Sequence, residues 1–474
     1  PGADGVISVS NLYQLQLMGA NLSASYRLTG DIDANATGST ASSAGIWGAG
    51  GFVPVGSDTA DFTGTLDGAG HVVSGLTINR PTTDYVGLIG FLGSSGSVTG
   101  IGIVGGSVTG SNNVGGLVGY NGGGSISDSH TASAVRGASY VGGVLGYGLG
   151  AITRSSATGT VNGNTGVGGL AGYHYGGNIQ QSYATAAVEG TSLVGGLVGH
   201  NGFFSSISQS YAAGAVEGAS SAGGLVGWNE GTLTNVYWDI QTTGRSNALG
   251  TGTLTSVVGR TTAEMQDLSA FAANYAGFDF ENVWAPPSAG HYPTFYSSER
   301  VVFVDASSSR VYGEAGGARI AQYYGLRPGE FVTTAATISG VPGADADVGR
   351  YSLTVSGGAT SHGGYRFVHS GSLEVTARPI TITANAQSRI YGDANPALGY
   401  TVGGMGLVNG DTLSGSLATS ATATSNVGSY AITRGTLGAS SNYDVSYVGA
   451  DLTVTARPLT ITANALARIY GDAN

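Results

Sequence analysis

One short phrase recurs six times between residues 85 and 229, and its spacing restricts what this chain can fold into. The copies are Val86-Gly-Leu-Ile-Gly-Phe91, Val114-Gly-Gly-Leu-Val-Gly-Tyr120, Val141-Gly-Gly-Val-Leu-Gly-Tyr147, Val167-Gly-Gly-Leu-Ala-Gly-Tyr173, Val194-Gly-Gly-Leu-Val-Gly-His200 and Ala222-Gly-Gly-Leu-Val-Gly-Trp228. They start 28, 27, 26, 27 and 28 residues apart. A unit that short cannot bury an apolar face by itself, so it must stack on its neighbours as a solenoid.

Each repeat has a second half. Ile126-Ser-Asp-Ser-His130, Ile152-Thr-Arg-Ser-Ser156, Ile179-Gln-Gln-Ser-Tyr183, Ile207-Ser-Gln-Ser-Tyr211 and Leu233-Thr-Asn-Val-Tyr237 align, and the first four run on to Val135, Val161, Val188 and Val216. A Gly-rich strand, a Ser/Thr strand and a short strand ending at Val make one coil of a parallel β-helix. With a rise of about 4.8 Å per coil, roughly nine coils would give a rod of about 45 Å. The 85 glycines far exceed the ordinary share of about 7%. They are expected to supply φ > 0 at turns and to let the backbone pack on a narrow core. If Leu117 and its equivalents point inward, Val118 and the series Phe91, Tyr120, Tyr147, Tyr173, His200, Trp228 point outward as an exposed aromatic ladder.

The flanks read as irregular coils and caps. A short helix is expected after Ser10 as N-cap, with Leu12, Leu15 and Leu17 partly on one face. Strands at 26–33 and 62–78 follow. Tyr237-Trp-Asp239 is expected to end the last coil. Thr261-Thr-Ala-Glu264 is a capping-box pattern. Met265, Leu268 and Phe271 are spaced for one helix face, so 241–298 is expected to cap the far end of the rod. After residue 301 a new period begins. Arg310-Val-Tyr-Gly-Glu-Ala315 recurs as Arg389-Ile-Tyr-Gly-Asp-Ala394 and Arg468-Ile-Tyr-Gly-Asp-Ala473, at intervals of 79. Val348, Tyr351 and the Thr-Ala-Arg-Pro junctions keep the same step. Alternating segments such as Ile380-Thr-Ile-Thr-Ala read as strands, and about 80 residues of them fit a small Ig-like β-sandwich. The motif itself is expected to make an internal ion pair or turn. The fold expected is all-β: a right-handed parallel β-helix with short capping helices, followed by tandem Ig-like β-sandwich repeats. Its divisions are 1–84, 85–240, 241–298, 299–376, 377–455 and 456–474, the last holding only the start of a third sandwich unit. The opening residues are not a signal sequence, and the chain reads as an internal piece of a longer protein.

Several functions are excluded or disfavoured. All 17 basic residues are Arg, and the net charge is −11, which leaves no basic patch for nucleic acid. No run of about 20 apolar residues is present to span a membrane. With no Cys, stability must come from stacking rather than disulfides. Lyases and hydrolases on β-helices need clustered carboxylates or a metal, yet between 85 and 229 the acids are Asp128, Glu189 and Glu217. Glu189 and Glu217 read as solvated turn residues one coil apart. Asp31, Asp33 and Asp67 could meet around a cation only if coils stack in register. His130, His174 and His200 sit at different phases without ligand spacing, which reads as surface placement. No nucleophile elbow, zinc motif or phosphate loop is present. No catalytic residue, cofactor or metal is therefore expected. The ladder of Tyr120, Tyr147, Tyr173, His200 and Trp228 remains as a ligand or partner face, because exposed aromatics can bind sugar rings or a partner chain. The competing reading is mutual stacking that stabilises the rod.

The Gly-Gly-Leu-Val-Gly phrases resemble the GLUG motif of bacterial surface proteins over roughly 85–240. Leu28-Thr-Gly-Asp-Ile-Asp33, Phe62-Thr-Gly-Thr-Leu-Asp-Gly-Ala-Gly-His71 and Tyr237-Trp-Asp239 resemble that motif's usual surroundings. The 79-residue units resemble MBG domains of large exoproteins. Together they resemble the shaft of filamentous-haemagglutinin-like adhesins exported by the two-partner route. That resemblance implies a secreted or cell-surface, non-enzymatic protein attaching to host cells, matrix or other bacteria, as in biofilms. GLUG motifs also occur in IgA-specific metallopeptidases, whose zinc motif is missing here. The family's secretion domain and anchor are likewise not in this sequence, so the export route is an expectation by analogy. Expected partners are an extracellular glycan, a host or bacterial surface, or copies of itself. A carbohydrate-binding or carbohydrate-cleaving β-helix and a structural filament are the alternatives.

Overall fold

A computed structural model describes residues 5–38, 46–253, 257–298, 300–315, 320–327 and 329–467. The third copy of the Arg-Ile-Tyr-Gly motif, 468–473, lies outside them. Among the described residues the fold is all-β, with about 5% helix: a parallel β-solenoid and a smaller two-sheet unit towards the C-terminus. The chain divides into two compact units. The first is Pro1–Phe303 with Tyr324–Gly329 and Gly364–Val368; the second is Val304–Tyr323, Glu330–Gly363 and His369–Asn474.

In the first unit every repeat lies in register on the next. Val98, Ile126, Ile152, Ile179, Ile207 and Leu233 stack on one face, and the same column continues back through Leu66 and Tyr26. Val108, Val135, Val161, Val188 and Val216 stack on a second face. Val114, Val141, Val167 and Val194 stack on a third. All of these residues are buried. The core is a set of vertical apolar columns, each made by one position of the repeat.

The recurring phrase is not a single strand. Asn112–Gly115 is a strand, Gly116 and Leu117 bend, and Val118–Asn121 is the next strand. Leu117 and Val118 are both fully buried, so the expected in–out alternation across them fails: the chain turns a corner between them. The glycine pair is there for close approach. A Cβ on Gly143 would lie 2.4 Å from the Gly169 carbonyl oxygen of the next coil. The left-handed corner one residue before each phrase is mostly not glycine. Tyr85, Asn113, Tyr140, Leu193 and Ser221 adopt φ of 46–60° there, and only Gly166 is glycine. Such residues cost about 1–2 kcal/mol each, which the repeated stacking offsets.

At the second corner the sequence repeats Ser rather than an apolar residue. Ser129, Ser155, Ser182 and Ser210 are buried. Each hydroxyl donates to the carbonyl two residues earlier at 2.7–3.0 Å. The same oxygens accept the backbone N–H of the previous coil: Ser155 N–H to Ser182 Oγ at 3.2 Å, and Ser182 N–H to Ser210 Oγ at 3.0 Å. The ladder ends where Val236 takes this position.

The N-terminal helix is Leu12–Leu17, capped by Asn11, whose side chain accepts from the Gln14 N–H. Ser10, the expected cap, instead donates from its N–H and hydroxyl to Gln14 Oε1. Leu12, Leu15 and Met18 enter the core of the first coils, while Leu17 is exposed. At the other end the coil does not stop at Asp239: Leu249–Gly252 pairs with Val226–Asn229, and Val258–Arg260 with Tyr237–Asp239. The capping box at Thr261 and Glu264 is present, on a helix of only Thr262–Met265. Leu268 and Phe271 therefore leave the expected helix face. They pack with Ala285, Tyr296, Val301 and Phe303. Met265, Tyr275, Phe278, Trp284 and Phe295 cover Tyr183, Tyr211 and Tyr237. This segment thus sheathes an outward column of the last coils rather than only plugging the end of the rod. The physical reason is that column: three buried tyrosines at one repeat position need an apolar cover.

In the second unit, Arg378–Ala384 lies between Tyr400–Gly404 and Tyr443–Val448, facing a sheet of Gln387–Ile390, Ala450–Thr455, Gly428–Thr433 and Ala418–Thr419. Ile382, Ile432, Leu437 and Leu452 fill the space between. Arg310 and Arg389 are buried, and each donates to a carbonyl 33 residues on, Gly343 and Thr422. The motif's Arg thus pairs with backbone rather than an acid, and the expected turn is closed by Glu314 N–H to Val311 O and Asp393 N–H to Ile390 O.

Candidate functional site

The corner strand Val118–Asn121 and its equivalents place one aromatic per coil directly above the last. Tyr120 registers with Phe91 and Tyr147, Tyr147 with Tyr173, Tyr173 with His200, and His200 with Trp228. Successive ring centroids are 4.4, 5.2, 4.8, 4.1 and 4.5 Å apart. All these pairs are stacked face to face except Tyr147–Tyr173, which meet at 78°. The ladder is half-buried, not exposed, and His200 is buried. The residues at the left-handed corner explain this: Tyr85 lies edge-on to Phe91 and Tyr120, and Tyr140 flanks Tyr147 and Tyr173. Sequence reading missed these flanking rings, although they sit one residue before the phrase.

The stacking decides what the column can offer. Ring faces inside it are occupied by neighbouring rings, so edges and phenol hydroxyls face outward. Burial raises the Tyr120, Tyr147 and Tyr173 pKa values, that of Tyr173 to about 12, so these hydroxyls stay protonated donors at any physiological pH. His200 Nε2 lies 2.9 Å from Glu230 Oε2. Burial lowers the His200 pKa while Glu230 pulls it the other way. At the column's edge Phe203 and Phe204 are both exposed, next to Tyr175. They belong to a coil one residue longer than its neighbour, and the register shifts there between His174 and Gly176. Their open ring faces are the free aromatic surface of this side.

Directly inside the ladder runs a polar row. Asn121, His174, Asn201 and Asn229 are fully buried or nearly so. Asn201 Nδ2 donates to Asn229 Oδ1 at 2.7 Å, and Asn121 Nδ2 to the Gly124 carbonyl at 2.9 Å. His174 Nε2 meets the Gly150 carbonyl at 3.1 Å. The surface placement read for His174 and His200 is thus corrected: both follow or occupy the aromatic position and are carried inward with it. His130, half-buried, registers with Ser156 on another face. The acids also separate. Asp67 pairs with Arg27 at 2.8 Å, Asp31 lies 3.3 Å from His71, and Asp33 accepts from Asn35. Glu189 and Glu217 do stand in register, with Asn162 donating to Glu189 at 2.6 Å. Among the described residues no three His, Asp or Glu groups are placed to hold a metal ion.

Residues 110–135, 163–189 and 190–217 match the GLUG motif, and 380–453 match the MBG domain of the YGX type. The chain carries GLUG motifs and an MBG domain. Each GLUG match covers one coil, running from the glycine before the left-handed corner to the end of the Val column. Halomucin of Haloquadratum walsbyi is 36% identical over 126 residues, which is 26% of this chain and 1% of halomucin. The crystal structure of a candidate immunoglobulin A1 protease from Bacteroides ovatus superposes with a TM-score of 0.48 and 21% identity, over 63% of this chain and 94% of that one. Among the described residues no helix is long and apolar enough to cross a membrane.

Proposed function

We propose that this chain is a non-enzymatic segment of a large secreted or cell-surface adhesin, in which the GLUG β-helix presents a contact face for an extracellular glycan on another surface. The observation that carries the reading is the aromatic side itself. A rigid column holds the protonated hydroxyls of Tyr120, Tyr147 and Tyr173 one coil apart, and the exposed rings of Phe203 and Phe204 stand beside it. Phenol donors on successive coils suit the hydroxyls of a linear saccharide, and exposed aromatic rings suit its apolar ring faces. The GLUG and MBG modules and the likeness of 126 residues to halomucin support a place in a large surface protein. Export by the two-partner route and a role in biofilms remain part of the same proposal.

The test is a glycan array and binding to intact cells with three proteins: the chain as it stands, Tyr120→Phe/Tyr147→Phe/Tyr173→Phe, and Phe203→Ser/Phe204→Ser. Phe keeps the stack and removes the hydroxyls, so thermal stability should hold while binding falls at least ten-fold. Binding that survives both sets of changes would remove the aromatic side from the proposal, and depolymerisation of a polysaccharide by the purified chain would end the non-enzymatic reading.

A further inference from the structure

The two 79-residue repeats meet through a defined set of contacts within the second compact unit. Tyr312, from the Arg-Val-Tyr-Gly motif of the first repeat, is 4% exposed, and its hydroxyl donates to Asp411 Oδ2 of the second repeat at 2.9 Å. Tyr443 donates to the same oxygen at 2.7 Å, and the two tyrosine rings lie edge to face with centroids 5.6 Å apart. Asn442 holds the facing loop by both ends of its amide. Its Oδ1 accepts from the Val348 N–H at 2.9 Å, and its Nδ2 donates to Asp347 Oδ1 at 2.8 Å. At the junction Arg378 donates to the Tyr312 carbonyl at 3.2 Å. The first repeat presents Tyr312, Asp347 and Val348; the second receives them with Asp411, Asn442 and Tyr443.

One period on, the presenting half recurs. The positions 79 residues after Tyr312, Asp347, Val348 and Arg378 are Tyr391, Asn426, Val427 and Arg457. Arg457 donates to the Tyr391 carbonyl at 2.8 Å, as Arg378 does to that of Tyr312. The backbone of the face is therefore already set, yet Tyr391 is 42% exposed where Tyr312 is 4%. The acid and the amide of the receiving half do not recur backwards: Val332 stands 79 residues before Asp411, and Gly364 precedes Tyr365 where Asn442 precedes Tyr443. A second observation points the same way. Residues 459–463, Leu-Thr-Ile-Thr-Ala, repeat the Ile-Thr-Ile-Thr-Ala of the central strand Arg378–Ala384. Ile380 and Ile382 are 1% and 0% exposed, whereas Leu459 and Ile461 are 82% and 86% exposed and in no strand. The pattern of 459–463 is that of the central strand of such a unit.

We propose that the face of the second repeat formed by Tyr391, Val427 and Arg457 is the docking surface for a further MBG unit. That unit takes residues 459–463 as its central strand and supplies an Asp, an Asn and a Tyr at the places of Asp411, Asn442 and Tyr443. Its occupant is argued from continuity with the contact already made one period earlier. The same hydroxyl-to-carboxylate and amide-to-loop bonds would form again, giving an array in which each unit buries the motif tyrosine of the one before it.

The experiment extends the full chain after Asn474 with a copy of residues 396–455, which completes a third unit with the receiving residues in place. Hydrogen–deuterium exchange at 389–393 and 426–428 should slow at least ten-fold against the unextended chain. Asp411→Ala made in the appended copy alone should restore the faster exchange. If the copy folds, seen as protection of 459–463, while exchange around Tyr391 stays unchanged, the proposal is overturned. Concentration-dependent dimerisation of the unextended chain that Tyr391→Ala abolishes would also overturn it, by assigning the face to a second copy. Should the copy not fold, Tyr312→Phe in the chain as it stands decides. It should speed exchange around Asp411 and Tyr443 about ten-fold, and no change there would remove the template interface on which the proposal stands.

Discussion

At the scale of single residues, His174 shows how a repeat imposes a burial that its side chain opposes. It occupies the inward row of Asn121 and Asn201, and desolvation pushes its pKa from 6.5 down to about 4. The unfolded chain takes up this proton near pH 6.5, and the folded chain only near 4. Between those values the unfolded state binds more protons, so stability falls as pH falls. The contribution is complete above pH 6.5 and is reduced by about 3 kcal/mol at pH 4. Denaturant midpoints measured from pH 7 to 4 should show this slope, and His174→Asn, which places there the residue of the following coil, Asn201, should flatten it. A slope that survives the substitution would place the proton uptake elsewhere. No feature of the sequence marks His174 as buried. Its neighbour Tyr173 was legible as one rung of a column, but the inward turn of the next residue depends on how the corner closes.

At the scale of the element, a strand three residues long is held by what lies above and below it. The serine column makes this concrete. Ser182 is fully buried, and its Oγ accepts the Ser155 N–H and donates to the Gln180 carbonyl. Ser182→Ala leaves the buried Ser155 N–H without a partner and should cost about 1–3 kcal/mol, read as a lower urea midpoint with unchanged m. Ser127→Ala, whose hydroxyl is only part-buried and bonds to Thr99, is the matched control and should change stability far less. Equal effects at the two positions would show that the column does not carry this energy. The repeated Ser was visible in sequence as part of a Ser/Thr strand; that it bridges coils from inside a corner needed the neighbouring coil's backbone.

At the scale of the molecule, a solenoid's stability is close to a sum of its coils and the contacts between neighbours. Leu170 is fully buried at the bend of the middle phrases, with Val144 and Leu197 as its equivalents on either side. Leu170→Ala should cost about 2–5 kcal/mol. Its effect on amide exchange should be greatest in the coils of Val144 and Leu197 and should fade towards Leu66. Uniform loss of protection from Leu66 to Leu249 would instead show the rod opening as one cooperative block. The sheath from Met265 to Phe295 belongs to this scale as well, because it ties Tyr183, Tyr211 and Tyr237 of three successive coils together.

The sequence by itself determined the period, the parallel stacking and the columns. A position that recurs every 26 to 28 residues can only bury its side chain on its own copies, so identity at a position becomes contact in space. It determined the second period of 79 residues for the same reason. Only the tertiary structure decided which way side chains point at the corners, because the backbone there leaves the two-residue alternation of a strand and the next coil's carbonyls set the direction. That is why the aromatic ladder read as exposed is half-buried and largely face-stacked, and why its flanking tyrosines and the Phe203–Phe204 edge went unseen.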